Sequence, residues 1–399
     1  MRVLIAGAGI GGLSLNALLR RGGIDTDLID HATSWNRPGH ALCLFGNGQR
    51  ILAALGVLGA VRSRAHEIVH YTITDASGAP VRSMDMSLLN ERHGSLIQLQ
   101  RGALHDVLRG IPENADLRLG VGIRAIAQSR SDVEVRFENG EVEWYDAVVG
   151  ADGIRSRVRQ LAFERAPGPR PFGAIGWAYI AKVPAVSLLR AEERLTAAQI
   201  EDGILEFWGA DRYFGIYPLP GGLFGVYCAR ALRPGERALR GPERRDALLA
   251  SFADFGPLVE QLLAHAPDAA SIFHAPLEEV WRATWHANRV GLLGDAAHAM
   301  LPFGGMGASM AMEDALVLSE ELRQHPVRRA FPRYVRRRVR RVWPVQFNAR
   351  MKGIAMLRAK HIPLGVRSLQ GVMRDPASFI GPYATWQERV LDALISANP

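Results

Sequence analysis

The chain reads as an α/β protein: a Rossmann-like dinucleotide-binding domain, an interleaved antiparallel-sheet domain and a C-terminal helical region. Three observations predict this. An apolar strand, Arg2–Ala6, runs directly into Gly7-Ala8-Gly9-Ile10-Gly11-Gly12, the turn that opens a βαβ unit. Two more glycine-marked segments, Gly150-Ala151-Asp152-Gly153 and Gly291–His298 with Pro302-Phe303-Gly304-Gly305 behind it, also follow apolar runs. Between the last two lies a stretch of alternating aromatic strands joined by Gly and Pro turns. Three such turns in this order point to one extended dinucleotide held along its length.

The elements follow in order. Arg2–Ala6 is a buried parallel strand, Gly11–Arg21 a helix and Thr26–Asp30 the second strand. Asn47–Leu55 is a helix stopped by Gly56, and Arg101–Arg109 another, with Gly110 and Pro112 behind it. Leu117–Leu119, Ile123–Gln128, Val133–Phe137 and Val142–Val149 are strands, with turns at Ser131-Asp132 and at Asn139-Gly140, a strong hairpin signal. From Pro171 the texture changes: Ala174–Val183, Ile204–Trp208, Tyr213–Pro218 and Leu223–Ala229 form an antiparallel sheet with a binding face. Glu243–Phe252 and Pro257–His265 are helical, Val290–Leu293 is again a buried strand, and Ala308–Arg323 a helix. Tyr334–Lys360 is an arginine-rich helix with a bend expected at Pro344.

Composition narrows the function. The 399 residues are 48% hydrophobic and 22% charged, enough for a sizeable core. Two cysteines, Cys43 and Cys228, are too few for a disulfide framework or a cysteine-rich metal site; both read as buried thiols. Met1–Ala6 leads straight into the glycine turn rather than into a signal sequence, and no apolar run reaches membrane-span length. A cytoplasmic setting is expected. The net charge of +8 comes largely from the arginines at 328–341. With no stacking platform or nucleic-acid-binding motif beside it, that cluster is a solvated helix face, and nucleic acid is not an expected partner. His93, His105, His265, His274, His286 and His298 form no ligand pattern, so no metal is expected.

The residue chemistry of the first motif is direct. Gly7, Gly9 and Gly12 supply the tight turn, the close approach to pyrophosphate and the helix–strand packing. The helix N-terminus favours phosphate charge. Asp30 ends the second strand, eighteen residues after Gly12, where a carboxylate can accept hydrogen bonds from ribose hydroxyls. This fingerprint alone does not separate FAD from NAD.

The second and third segments separate them by resemblance. Ala147–Arg159, with Asp152-Gly153, resembles the Asp-Gly segment of FAD-dependent aromatic hydroxylases, the single-component flavoprotein monooxygenases similar to para-hydroxybenzoate and salicylate hydroxylases. Gly294-Asp295-Ala296-Ala297-His298 with Pro302 resembles their Gly-Asp segment. Gly39–Gly56 and Arg101 with Leu104-His105 also resemble family elements. The resemblance covers most of residues 1–160 and 285–325, is loose over 170–285 and fades after 345. It implies an FAD-binding domain over 1–170 with an inserted β segment near 66–98, a substrate domain over 171–285, a return to the FAD domain over 286–325 and a helical region over 326–399.

The same resemblance implies roles. Asp295 would accept a hydrogen bond from the ribityl chain. Backbone N–H groups of Gly304, Gly305, Met306 and Gly307 would face the pyrimidine edge of the flavin, and donors there stabilise the charge of the reduced ring. Pro302 would shape the edge where oxygen reacts, and Arg101 would reach the flavin or its phosphates. Asp152, Gly153, Gly294 and Arg155 would support the cofactor chain. Arg155, Arg157 and Arg159 equally suit a solvated helix face. The implied activity is NADH- or NADPH-dependent oxygenation of an aromatic or polyketide-like molecule by dioxygen, through a flavin hydroperoxide. No second glycine fingerprint marks a nicotinamide-nucleotide domain, which fits transient docking of either nucleotide. FAD is expected to be noncovalent, since no attachment motif is present. Two departures stand out: Met306 replaces a usual Gln, and Ser309 a usual Asn. Ala41 also replaces a usual Gly. They keep open a reductase, dehydrogenase or oxidase on the same frame, and beyond it a flavin-binding interaction protein without turnover.

The aromatic sheet is the expected substrate wall. Trp177, Tyr179, Trp208, Tyr213 and Tyr217 recur at alternating positions suited to stacking on a planar substrate. Alternation places only about half of such residues on any one face.

Overall fold

The computed structural model of the chain describes residues 1–35, 40–164, 168–233, 235–239, 241–281 and 284–357. Its first layer is a six-stranded sheet ordered His286–Ala287, Val290–Leu292, Ala147–Gly150, Arg2–Ala6, Asp25–Asp30, Arg118–Leu119. All neighbours are parallel except the first pair. Val3 pairs with both Ala147 and Thr26, so the first glycine turn and the second leave adjacent strand ends. Val3, Leu4, Ile5, Val148, Val149, Val290 and Leu292 are fully buried, the continuous burial of a parallel sheet covered on both faces. The Ile10–Arg21 and Gly307–Gln324 helices pack together against it.

The larger, seven-stranded sheet runs Phe273–Glu279, Arg170–Lys182, Leu223–Ala231, Arg212–Leu219, Gly203–Trp208, His70–Asp75, Pro80–Asp85. It is antiparallel apart from the Gly203–Trp208 and His70–Asp75 pair. Two of its strands therefore come from the early segment near 66–98, which stitches this sheet to the first half of the chain.

Local chemistry explains most boundaries. Asn139-Gly140 closes the Val133–Phe137 and Val142–Tyr145 hairpin with Gly140 at φ 92°. The Arg101–Arg109 helix ends at Gly110, and Gly56, at φ 70°, follows the Gly46–Ala54 helix. The single strand expected over Val142–Val149 is two. Val142–Tyr145 belongs to a three-stranded sheet and Ala147–Gly150 to the parallel one. Asp146 makes the switch, accepting from the Arg2 backbone N–H at 2.7 Å. The last described helix, Val327–Leu357, runs through both Pro332 and Pro344. Both prolines are exposed, so the carbonyls they leave unpaired face water. The helix expected as far as Lys360, and the helical region expected to 399, extend outside the described residues. No described helix is long and apolar enough to cross a membrane.

Candidate active site

Three glycine segments meet at one cavity of about 580 Å³. Gly9 and Gly11 from the first, Gly153 from the second and Gly294 from the third all line it. The glycines divide their work. Gly7 sits at φ 110°, and a Cβ there would lie 2.4 Å from the Ala151 carbonyl oxygen. A Cβ on Gly12 would lie 1.9 Å from the Gly7 carbonyl oxygen. These two let the turn fold against the neighbouring strand end. A Cβ on Gly9 would meet nothing nearer than 4.0 Å, so its bareness serves whatever enters the cavity. Gly9 also caps the Ile10–Arg21 helix, whose N-terminal N–H groups are there to meet an anion.

The carboxylates divide as well. Asp295 is exposed and lines this cavity; desolvation by the surrounding protein pushes its carboxyl up, opposed by the charges of His298 and Arg101. Arg101 lines the cavity too, and burial followed by the Arg101 charge pushes His40 down to about 4. Asp30 is buried, accepting from the Ala8 and Ala32 N–H groups at 2.9 Å each, and so clips the first glycine turn. Asp152 is absent from the cavity wall and accepts from the Arg157 and Val158 N–H groups at 2.7 and 3.0 Å. The expectation that Asp152 supports a cofactor chain is thus corrected: it caps the Arg157–Ala162 helix. Arg155 pairs with Glu278 at 2.6 Å, and Arg159 is buried, donating to the Ala296 carbonyl.

The floor is the Pro302–Gly304 turn. Gly305 takes φ 64°, and a Cβ there would lie 3.2 Å from Cys43 Sγ. Met306 is buried and caps the Gly307–Gln324 helix, and a Cβ on Gly307 would meet nothing within 4 Å. Gly304, Gly305, Met306 and Gly307 all line the cavity, so a helix N-terminus opens into it. The departures are accommodated locally. Ala41 fits because its methyl faces Gly225 of the seven-stranded sheet, where a Cβ would come within 2.2 Å. Ser309 is fully buried beside Gly48, its hydroxyl 2.7 Å from where a Cβ on Gly48 would lie.

Beneath that helix lies a buried charge network. Asp314 accepts from Gly294 N–H at 2.8 Å, His298 Nε2 at 2.6 Å and Arg338 Nε at 2.6 Å. Burial alone would raise its carboxyl, but His298 and Arg338 hold it at about 2. Glu313 accepts from Asn47 at 2.7 Å and pairs with Arg338 and Arg341. Arg338 and Arg341, expected as solvated arginines, are therefore buried counter-ions, while Arg329, Arg336 and Arg340 are exposed.

The aromatic residues need correction. Trp177 and Tyr179 lie in the core behind the sheet, where the Glu243–Phe252 and Pro257–Ala264 helices cover it. Trp177 donates to the Arg244 carbonyl at 3.0 Å, and Tyr179 to the Leu262 carbonyl at 3.2 Å. Neither reaches the cavity. Trp208 and Tyr213 are buried off its wall; both donate to Glu206, at 3.1 and 3.0 Å. Of the five expected residues, Tyr217 lines the cavity. The wall also holds residues that sequence reasoning missed: Glu206, Lys352, Tyr71 and Cys43. Two signals were present. Glu206 is a lone carboxylate within the apolar run Gly203–Trp208, and Lys352 is one of three lysines in a chain with 45 arginines. Among the described residues, no cluster of His, Cys, Asp and Glu could hold a metal ion.

A long cavity, bare at glycines, with two helix N-termini and a carboxylate on its wall, fits an extended dinucleotide ending in a planar ring. The comparisons agree. Residues 1–348 match the family described as FAD binding domain. The chain is 32% identical over 320 residues to the aurachin C monooxygenase/isomerase of Stigmatella aurantiaca, covering 80% of each. It is 33% identical over 323 residues to the 2-heptyl-3-hydroxy-4(1H)-quinolone synthase of Pseudomonas aeruginosa, again 80% of each. The fold matches Klebsiella pneumoniae HpxO complexed with FAD and uric acid, at TM-score 0.83 and 24% identity over 99% of this chain and 96% of that one. The chain belongs to the FAD-dependent aromatic monooxygenase family. It is an FAD-dependent flavoprotein enzyme, as the motifs implied.

Proposed function

We propose that this enzyme uses dioxygen and NADH or NADPH to oxygenate an aromatic small molecule, with FAD held noncovalently and the protein working in the cytoplasm. One observation carries the reading. The cavity lined by the three glycine segments continues, past Pro302 and Phe303, to a chamber walled by Ile204, Glu206, Tyr217 and Tyr227 of the seven-stranded sheet. A cofactor ring at the Pro302–Gly307 turn would thus face a largely apolar room for a second molecule.

FAD supplies the hydride acceptance and the oxygen activation. The residues of this chain bind and orient it. Gly9 and the Ile10–Arg21 helix N-terminus would hold the pyrophosphate and Asp295 the ribityl hydroxyls, while Asp30, behind the wall, would keep the first glycine turn in place. Gly153, Gly294 and Arg101 would line the cofactor's path. Backbone N–H groups at Gly304, Gly305, Met306 and Gly307 would meet the pyrimidine edge, where the helix dipole favours negative charge on the reduced ring. Pro302 and Phe303 would exclude water from the reacting edge. One of the similar enzymes is named for making a 2-heptyl-3-hydroxy-4(1H)-quinolone, and an alkylated aromatic ring of that kind is the type of substrate proposed for this chamber.

Turnover under labelled dioxygen tests this. The expected product carries one labelled oxygen atom and forms in step with nicotinamide oxidation. Peroxide release with every arene left unmodified would move the enzyme to the oxidase class. Yellow colour staying with acid-precipitated protein would overturn noncovalent binding.

A further inference from the structure

One wall of the chamber carries opposite charges that the glycine motifs do not explain. Lys352 and Glu206 are buried, at 2% and 3% exposed, yet both line the cavity. Lys352 Nζ donates to Glu206 Oε1 at 2.6 Å and to the Tyr71 hydroxyl at 2.8 Å. Four elements converge to build this cluster: the strands His70–Asp75, Gly203–Trp208 and Arg212–Leu219, and the end of the Val327–Leu357 helix.

Counting protons shows which groups have capacity left. Tyr213 gives its single proton to Glu206, so in the 2.7 Å contact between the two hydroxyls Tyr217 is the donor. Burial, and then the Glu206 charge, push the Tyr217 hydroxyl well above its ordinary value, so it stays neutral. Its oxygen keeps accepting capacity, and the residue lines the cavity. Lys352 has three N–H donors and two of these partners. The cluster also borders the floor turn. Cys43, which packs against Gly305, is pushed up to about 12 by burial and feels the charges of both Lys352 and Glu206. Beyond the polar edge the chamber is apolar: Met84, Met86, Leu96 and Ile204 line it.

We infer that Lys352, Glu206 and Tyr217 form the recognition edge for an aromatic ring bearing an ionisable oxygen, and that the apolar end takes an aliphatic substituent of that ring. This rests on the oxygenase reading above. An ammonium in a dry pocket favours the anionic form of a ring oxygen placed against it. An arene in that form is richer in electrons at its neighbouring carbons, the property an electrophilic oxygen donor requires. Glu206 keeps the ammonium charged and in place. Two unbranched methionines give the apolar end room to adapt to chains of different length.

The test uses FAD-loaded protein and two matched probe series, 2-alkyl-4-hydroxyquinolines and the 2-alkylquinolines that lack the oxygen. Binding is read from the perturbed flavin absorbance across pH. In wild type the oxygenated series is expected to bind more tightly, and each added methylene to tighten binding roughly threefold to fourfold until the apolar end is full. Lys352→Met is expected to weaken the oxygenated series by roughly 10- to 100-fold, leave the deoxygenated series within about twofold and flatten the pH profile. If Lys352→Met fails to fold because Glu206 is left unpaired, the Glu206→Gln/Lys352→Met double variant carries the same comparison. Equal losses on both series, or no loss on either, would overturn the inference. So would a wild type that oxygenates other arenes yet ignores both series. A wild type that incorporates no labelled oxygen into any arene would overturn the oxygenase reading itself, and the inference with it.

Discussion

Two buried charge clusters adjoin the cofactor cavity, and they differ in one respect. Beneath the Gly307–Gln324 helix, Glu313 and Asp314 are enclosed by Arg338, Arg341, His298 and Asn47. Asp314 and Glu313 lie outside the cavity wall. At the chamber, Glu206 and Lys352 hold each other but also front the cavity. A closed cluster serves the fold, because its charges are spent on one another. An open one presents hydrogen-bonding capacity to whatever enters. The contrast makes stability the readout for the first and ligand selectivity the readout for the second.

The sharpest way to break this contrast is to open the closed cluster. Arg338 bridges Glu313 and Asp314 and is fully enclosed. Arg338→Leu leaves two buried carboxylates short of their counter-ion. The expected loss is about 3–5 kcal/mol, since removing one partner of a buried pair strands the other. Thermal unfolding of the FAD-loaded protein measures it. A fall in Tm of only a degree or two would show that the cluster is not holding the two helices together.

Acid probes the same cluster more gently. Asp314 is held at about 2 in the folded protein, below its ordinary value. A depressed carboxyl contributes stability above its unfolded pKa, and that contribution is lost as pH falls through the folded value. Asp314 is thus expected to contribute about 2–3 kcal/mol at neutral pH, disappearing between about pH 4 and 2. Asp314→Asn should unfold at lower temperature than wild type at pH 7, with the gap closing as acid is added. A gap independent of pH would sink this assignment.

Asp295 lies only one residue past Gly294, which Asp314 binds, but it belongs to the open side. Its loss should spare the fold and cost the cofactor. Asp295→Ala is expected to weaken FAD by roughly 10- to 100-fold, the range of a hydrogen bond to a charged group. Fluorescence titration of the apoprotein with FAD measures this. Full occupancy at wild-type affinity would remove Asp295 from the cofactor's hydroxyls.

The same contrast explains what could be read from the chain. The parallel-sheet half was legible because steric demands there are local: Gly7, Gly9 and Gly12 sit five residues apart at most, and a Cβ on two of them meets backbone. The family segments carried the cavity wall as far as Gly307 for that reason. The antiparallel half was legible as strands but not as faces. Gly203–Trp208 is buried at every position, so alternation carries no inside and outside. Trp177 and Tyr179 looked like a stacking wall, but two helices cover that face. Arg338 looked solvated because its carboxylates precede it by 24 and 25 residues on another helix. Glu206 and Lys352 are 146 residues apart, a pairing no periodicity predicts.

The smallest expected effect completes the contrast. Glu206→Gln with Lys352→Met removes both charges of the open pair together. Replacing a whole buried pair strands no charge, so the change in stability should lie within about 1–2 kcal/mol, below that of Arg338→Leu. The amide that replaces the carboxylate can still accept from Trp208 through its oxygen and donate to the Tyr213 hydroxyl through its nitrogen, which keeps the surrounding hydrogen bonds made. Paired thermal melts of this double variant and Arg338→Leu decide the matter. If the double variant melts as early as Arg338→Leu, the Glu206–Lys352 pair is as structural as the cluster beneath the Gly307–Gln324 helix, and openness to the cavity is no guide to its purpose.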